Sequence, residues 1–321
     1  MSMSEFDIIR QRFKARVRPD AQVPVGIGDD GAVLNPGSGE HAWVVDTINE
    51  GVHFTLGSPG RAVGHRTLAV NLSDMVAMGA APRWALMSLS LPEPDGVWLD
   101  DFCDGFFELA ERAETHLAGG DLTRGSLAVT VTLLGPLHGE RVLRSGARPG
   151  DRVLVSGTLG DARGGLEQVR RGQRDPGPDE ARLVDRYRFP EPRLELAPLL
   201  PGRATAAIDV SDGLAADAGH IAEASGVGVQ LDVAAVPLSS ALRGVFPDQA
   251  QEYALYGGDD YEILCTVPPE DLTDLIESAA AAGVNLSEVG EVIEGSGISL
   301  SGVPGGAPGT HAGHDHFRDG P

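Results

Sequence analysis

Cysteine is nearly absent: Cys103 and Cys265 are the two thiols of a 321-residue chain. Two cysteines make neither a disulfide framework nor a metal-ligand cluster, so the chain reads as a protein of the reducing cytoplasm with both thiols in ordinary packing roles. Long apolar runs are lacking too. No stretch reaches the length of a membrane-spanning helix, and "MSMSEFDIIRQRF" holds no apolar signal-peptide core. Basic residues are scarce, 25 against 47 acids, for a net charge of −22. A nucleic-acid groove needs a basic stripe to displace counterions, which excludes nucleic acid as a partner. The phosphate-loop pattern GxxxxGK[ST] is missing, as is the protein-kinase motif set.

The chain is long for one core, and its 41% apolar content is enough for two. Residues 4 to 18 read as an amphipathic helix, with Phe6, Ile9, Phe13 and Val17 at helical spacing. Strand-like runs "AVLN" and "HAWVVDT" follow, then the helical "GRAVGHRTLAVNLSDMVAMGA" and the strand "RWALMSLSL". A helix is expected from Leu99 to Ala118, and "LAVTVTLLGPL" is strand sequence. The texture changes near residues 139 to 148, which divides the chain into expected domains 1–142 and 143–321. Beyond it, "RVLVSG", "ATAAIDVS", "VGVQLDV", "YEILCTV" and "SEVGEVI" alternate with helical stretches at 212–225 and 270–283. Residues 170–180 read as a loop and the tail from Ser301 as irregular. The economical fold class is α/β in two lobes.

Acids recur at the ends of apolar runs. "VPVGIGDDGAVL" carries Asp29 and Asp30, "WVVDT" Asp46, "LAVNLSDM" Asp74, "HLAGGDLTRG" Asp121, "ATAAIDVSDGL" Asp209 and Asp212, and "YALYGGDDYEIL" Asp259, Asp260 and Glu262. Strand ends and the loops after them are where α/β proteins build sites. Gathering so much like charge is costly unless cations hold it. Oxygen donors without a Cys/His set select hard cations, hence several Mg²⁺ ions. Such ions also turn an acidic cleft from repelling a phosphate to binding one. Asp161, Asp217 and Asp232 read as caps or turns.

In order along nearly the whole chain, "GIGDDGAVL", "VDTINEGVHF", "AVNLSDMVAMGA", "GGDLTRG", "RSGARPGD", "IDVSDGL" and "GGDDYEIL" resemble the thiamine-monophosphate kinase family. Its superfamily also holds aminoimidazole ribonucleotide synthetase, selenophosphate synthetase and a hydrogenase-maturation factor. The resemblance implies ATP-dependent phosphorylation of thiamine phosphate to thiamine diphosphate. It also implies an N-terminal α/β domain that dimerises through its sheet, giving a homodimer, with ATP held between the domains. Implied Mg²⁺ ligands are Asp30 (Asp29 being the alternative), Asp46, Asp74, Asp121 and Asp209, with Asp212 as a further candidate. Val44 and Val45 stand where relatives often carry Ser or Thr, so they could bind metal only through backbone carbonyls. Gly120 and Asp121 would sit at the nucleotide, Arg144 and Ser211 on its phosphates, and His53 and Glu262 toward thiamine phosphate. Relatives commonly end in a Trp-containing motif closing in His-Phe; here the tail reads "HAGHDHF", and His311 takes the place of that Trp.

The chemistry asks little of the protein beyond position and charge. The accepting phosphate oxygen is already an anion at neutral pH, so no catalytic base is assigned and direct in-line transfer is expected. The competing enzyme reading is another ATP-using member of the superfamily, such as an aminoimidazole ribonucleotide synthetase. Selenophosphate synthetase is disfavoured because no Cys lies near the N-terminal glycine-rich stretch. The reading from a different class is a non-catalytic acidic metal-binding protein.

Overall fold

The computed structural model describes residues 4–172 and 175–302. They form two compact units, one of residues 4–75 and 80–137, the other of 76–79 and 138–302.

In the first unit Ser4 caps α1 (Glu5–Ile8), its hydroxyl accepting from the Asp7 N–H at 3.2 Å. The helical path continues through a π turn at Ile9–Phe13 and a 3₁₀ turn at Lys14–Arg16, where it stops. Next come β1 (His41–Asn49), α2 (Gly60–Ala77), β2 (Trp84–Leu91), α3 (Gly96–Arg112), β3 (His116–Arg124) and β4 (Ala128–Pro136). The sheet runs β1-β4-β2-β3 and is mixed, with β2 and β3 parallel and the other pairs antiparallel. Its buried face holds Val129, Val131, Leu133, Met87 and Leu89; on the other face Trp43, Val45 and Leu86 are exposed.

α2 is buried on nearly every side from Ala62 to Ala77, polar residues included. It meets α3 backbone to backbone. A Cβ added at Gly64 would lie 2.0 Å from the Phe102 carbonyl oxygen, and one at Gly105 would lie 2.0 Å from that of Arg61. On its outer side α3 is tied to the N-terminal segment by Arg12–Asp100 at 3.0 Å, Arg16–Asp104 at 2.5 Å and Arg18–Glu111 at 2.7 Å. The first two pairs, four residues apart on each partner, keep the two helical stretches in register.

α3 ends before the expected Ala118. Glu114 takes a left-handed backbone (φ 51°), and the Thr115 N–H bonds back to the Ala110 carbonyl at 2.8 Å, closing the helix. His116 to Arg124 then gain a ladder along β2, which outweighs the helical spacing of Leu117 and Ala118.

The second unit holds β5 (Arg152–Ser156), α4 (Asp161–Arg171), α5 (Pro178–Arg188), β6 (Ala206–Asp209), α6 (Leu214–Ser225) and β7 (Gly228–Asp232). After them come α7 (Ser240–Val245), α8 (Ala250–Tyr256), β8 (Ile263–Val267), α9 (Leu272–Ala281), β9 (Leu286–Ile293) and β10 (Gly297–Ser301). The sheet order is β10-β7-β9-β5-β8-β6, antiparallel apart from β10 beside β7. Both faces are covered. Val153 and Val155 pack with Leu214, Ile221 and Leu264, while Leu154 packs with Ile263, Cys265 and Leu275. α5 replaces part of the loop expected at 170–180, and β10 ends on Ser301, where an irregular tail was expected to begin.

Among the described residues no helix is long and apolar enough to cross a membrane. Cys103 and Cys265 are free and buried, and burial pushes both thiols up to about 12. Neither is a nucleophile at neutral pH.

Candidate active site

One row of residues crosses the first sheet: Asp46 on β1 pairs with Val131 on β4, Val131 with Met87 on β2, and Met87 with Gly120 on β3. Asp46 and the Gly120–Asp121 step therefore stand level at opposite edges, three strand spacings or roughly 14 Å apart. Gly120 has φ 153°, and a Cβ there would fall 1.8 Å from the Met87 carbonyl oxygen, so only glycine lets β3 close on β2 here. Beside this step lies an apolar pocket lined by Ile9, Phe13, Ile27, Leu117, Gly120 and Leu122. Asp29 and Asp30 sit on an exposed turn, joined by the Asp30 N–H donating to Asp29 Oδ1 at 2.9 Å. Asp74 is half-buried on α2. β1 is an edge strand, so the backbone at Val44 and Val45 is partly unladdered. His53 Nδ1 accepts the Asn49 N–H at 2.9 Å, which fixes the neutral ring with its proton on Nε2.

In the second unit the loop after β6 and the loop before β8 are laced together. The Asp259 N–H donates to the Ser211 carbonyl at 2.8 Å, and the Tyr261 N–H to that of Val210 at 2.9 Å. Asp259 and Tyr261 hold left-handed backbone, at φ 65° and 51°. Asp209 and Asp217 are buried, and Asp217 Oδ2 accepts the Asp212 N–H at 3.1 Å. Burial, with the charges of Asp209 and Asp212, pushes the Asp217 carboxyl well above the usual carboxylate range. Among the described residues, Asp212, Asp217 and His220 form the one triple whose ligand atoms all lie within 4.8 Å of one another.

Asp260 is fully buried, accepting from the N–H groups of Gly160 at 2.6 Å and Ala162 at 3.1 Å at the start of α4. Burial pushes its carboxyl up to about 8 against the pull of those donors. Glu262 has no exposed surface. Its carboxylate accepts from Ser156 Oγ at 2.5 Å, from Arg186 at 2.8 Å and from Arg193 Nε at 2.6 Å, with a second Arg193 contact.

Two family models cover most of the chain: "AIR synthase related protein, N-terminal domain" matches residues 28–137, and the corresponding C-terminal domain matches 148–303. A thiamine-monophosphate kinase of Salmonella typhimurium (strain LT2) is 42% identical over 325 residues, covering 99% of each chain. The chain belongs to the thiamine-monophosphate kinase family. The crystal structure of the Stenotrophomonas maltophilia K279a enzyme is similar with TM-score 0.87 and 41% identity, covering 94% of this chain and 98% of that one. A structure described as AaThiL complexed with AMPPCP and TMP is similar with TM-score 0.81 and 34% identity, covering 98% and 97%.

For a member of the thiamine-monophosphate kinase family, the expected residues fall into two sets. Asp30, Val44, Val45, His53, Asp46, Asp74, Gly120 and Asp121 belong to the first unit; Arg144, Asp209, Ser211, Asp212 and Glu262 belong to the second. His311 lies outside the described residues. Asp30, Asp46, Asp74 and Asp121 form no triple within 4.8 Å. Arg144 is exposed, its carbonyl accepting from Ser225 Oγ at 3.3 Å. Ser211 and Asp212 are half-buried. Asp217 holds the cap or turn role expected of it, accepting the Asp212 N–H of the loop that leads into α6, and it also lies beside Asp212 and His220. Arg186 and Arg193, which bracket "YRFPEP", gave no sequence signal beyond a Pro-broken loop.

Proposed function

We propose that this chain transfers the γ-phosphoryl group of ATP to the phosphate of thiamine phosphate, directly and in line, with Mg²⁺ and without a phosphoenzyme. What carries the reading is the likeness of the whole chain to the relative complexed with AMPPCP and TMP. The apolar pocket beside Gly120 and Asp121 suits the flat face of a purine. Two buried thiols at about 12 offer no covalent acceptor.

The donor set fits Mg²⁺. Asp30, Asp46, Asp74 and Asp121 in the first unit, and Asp209 and Asp212 in the second, offer only oxygen, and Val44 and Val45 add backbone carbonyls. Donors at sheet edges roughly 14 Å apart cannot share one ion with ligands at about 2.1 Å, which supports several ions. When bound, the ions would offset phosphate charge along the chain of ATP. The protein's own part is to hold and orient. His53 presents an Nε2–H suited to a phosphate oxygen, and Arg144 supplies a forked donor for the nucleotide. Ser211, whose carbonyl accepts the Asp259 N–H, offers its hydroxyl to a phosphate. The acceptor oxygen is anionic at neutral pH, so no base is needed. Glu262 serves thiamine phosphate by fixing Arg186 and Arg193, and His311, outside the described residues, is the candidate contact for its organic part.

We take the functional domains as 1–142 and 143–321. The exposed face of the first sheet, with Trp43 at 70% and Val45 at 60%, supports a homodimer through that face. The buried unbonded thiols support a cytoplasmic location. The test of function is ADP release with ATP and Mg²⁺. Thiamine phosphate should support turnover and free thiamine should not, since its neutral hydroxyl lacks a phosphate for the metals to grip. Equal turnover of both would sink the assignment.

A further inference from the structure

Lys14 is the one lysine among the 25 basic residues of the chain. It opens the 3₁₀ turn Lys14–Arg16 and is exposed. Arg12 and Arg16 on either side of it are paired with acids of α3, but among the described residues Lys14 makes no salt bridge. Its side chain crosses Gly28 of "GIGDDG". A Cβ added at Gly28 would stand 2.7 Å from Lys14 Nζ, 3.7 Å from Cε and 3.9 Å from Cδ. Gly28 has φ 119°, a backbone that favours glycine, so the position stays bare and the ammonium rests against it.

This contact lies at the rim of the apolar pocket beside Gly120. Phe13, which precedes Lys14, and Ile27, which precedes Gly28, both line that pocket. In each segment the chain passes in one step from a lining residue to an exposed one, and the lysine ties the two exposed steps together. Asp29 and Asp30 follow Gly28 directly and Asp121 is on the pocket wall; all three are exposed, and among the described residues none takes the ammonium in a salt bridge. In such a group the carboxylates suit the metal of a nucleotide, and the ammonium suits its phosphate oxygens. A lysine serves better than an arginine here, being a compact point charge whose three donors turn freely to follow a flexible phosphate chain.

We propose that Lys14 is a substrate-binding residue, its ammonium contacting the phosphate chain of the nucleotide whose base enters this pocket. The inference rests on the reading of that pocket as the ATP site. A single lysine makes the test direct, because acetylation with sulfo-N-hydroxysuccinimide acetate labels Lys14 and the N-terminal α-amine alone. The measurement is the acetylation rate of each amine in the full chain, read by peptide mass spectrometry, with ATP and MgCl₂, with adenosine, and with MgCl₂ alone.

Saturating ATP with MgCl₂ should slow Lys14 at least about tenfold and leave the α-amine unchanged, while adenosine or MgCl₂ alone should slow Lys14 by less than about twofold. Lys14→Met should raise the KM for ATP roughly tenfold and move that for thiamine phosphate by less than about twofold. Unslowed acetylation under ATP that calorimetry shows to be bound, or an unchanged KM for ATP in Lys14→Met, overturns the role of Lys14 and leaves the nucleotide reading standing. Protection by adenosine or by MgCl₂ alone equal to that by ATP does the same. A wild type that gives no heat with ATP and MgCl₂ overturns both.

Discussion

Removing the Glu262 carboxylate should destabilise the second unit before it informs on substrate. In Glu262→Ala, Arg186 and Arg193 lose their shared partner inside the protein, and Ser156 loses the acceptor of its 2.5 Å bond. Both guanidinium groups are largely buried, with 16% and 23% of their side-chain surface exposed, so water only partly repays them. Breaking a buried pair from one side costs about 3–5 kcal/mol. The exposure of the arginines trims that toward about 3 kcal/mol, and the cavity left by the side chain restores some of it. At about 2–4 °C per kcal/mol for a unit of this size, the ligand-free melting temperature should fall by roughly 6–16 °C.

Glu262→Gln keeps the volume and one acceptor, so it should fall by less while still leaving a cation uncompensated. The assay is thermal unfolding without ligand, read beside the KM for thiamine phosphate on whatever fraction stays folded. A fall under about 2 °C together with a large rise in KM would refute the reasoning. That result would mean that Glu262 leaves its two arginines to meet the substrate directly.

Asp260 carries a pH signature. Burial pushes its carboxyl up to about 8 from an ordinary 3.8, so the folded state holds a proton that the unfolded chain gives up. The associated stability is fully present below about pH 4 and is lost as pH rises toward 8, with a slope of at most about 1.4 kcal/mol per pH unit. Asp260→Asn should flatten that slope in urea unfolding between pH 5 and 8, and an unchanged slope would rule out this titration. Gly64→Ala should destabilise, because backbone overlap at 2.0 Å from Phe102 outweighs a helix-propensity gain of about 1 kcal/mol. Gly219→Ala on α6, where an added Cβ meets nothing within 4 Å, should stabilise by about 0.5–1 kcal/mol; the same sign for both would refute the close-contact account of α2 and α3. On the proposed homodimer, Trp43→Lys should shift sedimentation from dimer to monomer, and an unchanged dimer would move the interface off the first sheet.

Long elements were legible in the sequence as apolar-rich runs: "HAWVVDT" and "LAVTVTLLGPL" became β1 and β4, and the run from Gly60 became α2. β3 was not legible. "HLAGGDLTR" contains two glycines and no strand alternation, and it is extended because β2 lies alongside and Gly120 permits the approach. α7 and α8, of six and seven residues, are too short to show a helical period and are held by Leu183, Leu242, Phe246 and Ala250 packing together.

The acids divide on the same ground. "GIGDDG" and "GGDDYE" look alike as strings, yet the first leaves Asp29 and Asp30 in solvent while the second buries Asp260 and Glu262. What separates them is the chain that follows. After Asp30 comes an exposed turn, whereas Glu262 leads directly into β8, buried along its whole length between two cores. Burial then dictates the chemistry: an exposed carboxylate can stay charged in water, but a buried one must be neutralised, by a cation, a proton or the protein's own donors. Asp260 meets this with the first N–H groups of α4 and by holding a proton, and Glu262 with two arginines. Of the acids that recur along the chain, Asp30, Asp46, Asp74, Asp121, Asp209 and Asp212 are therefore the ones to substitute in a search for metal ligands. Those that lead into β8 are the ones whose substitution tests the fold.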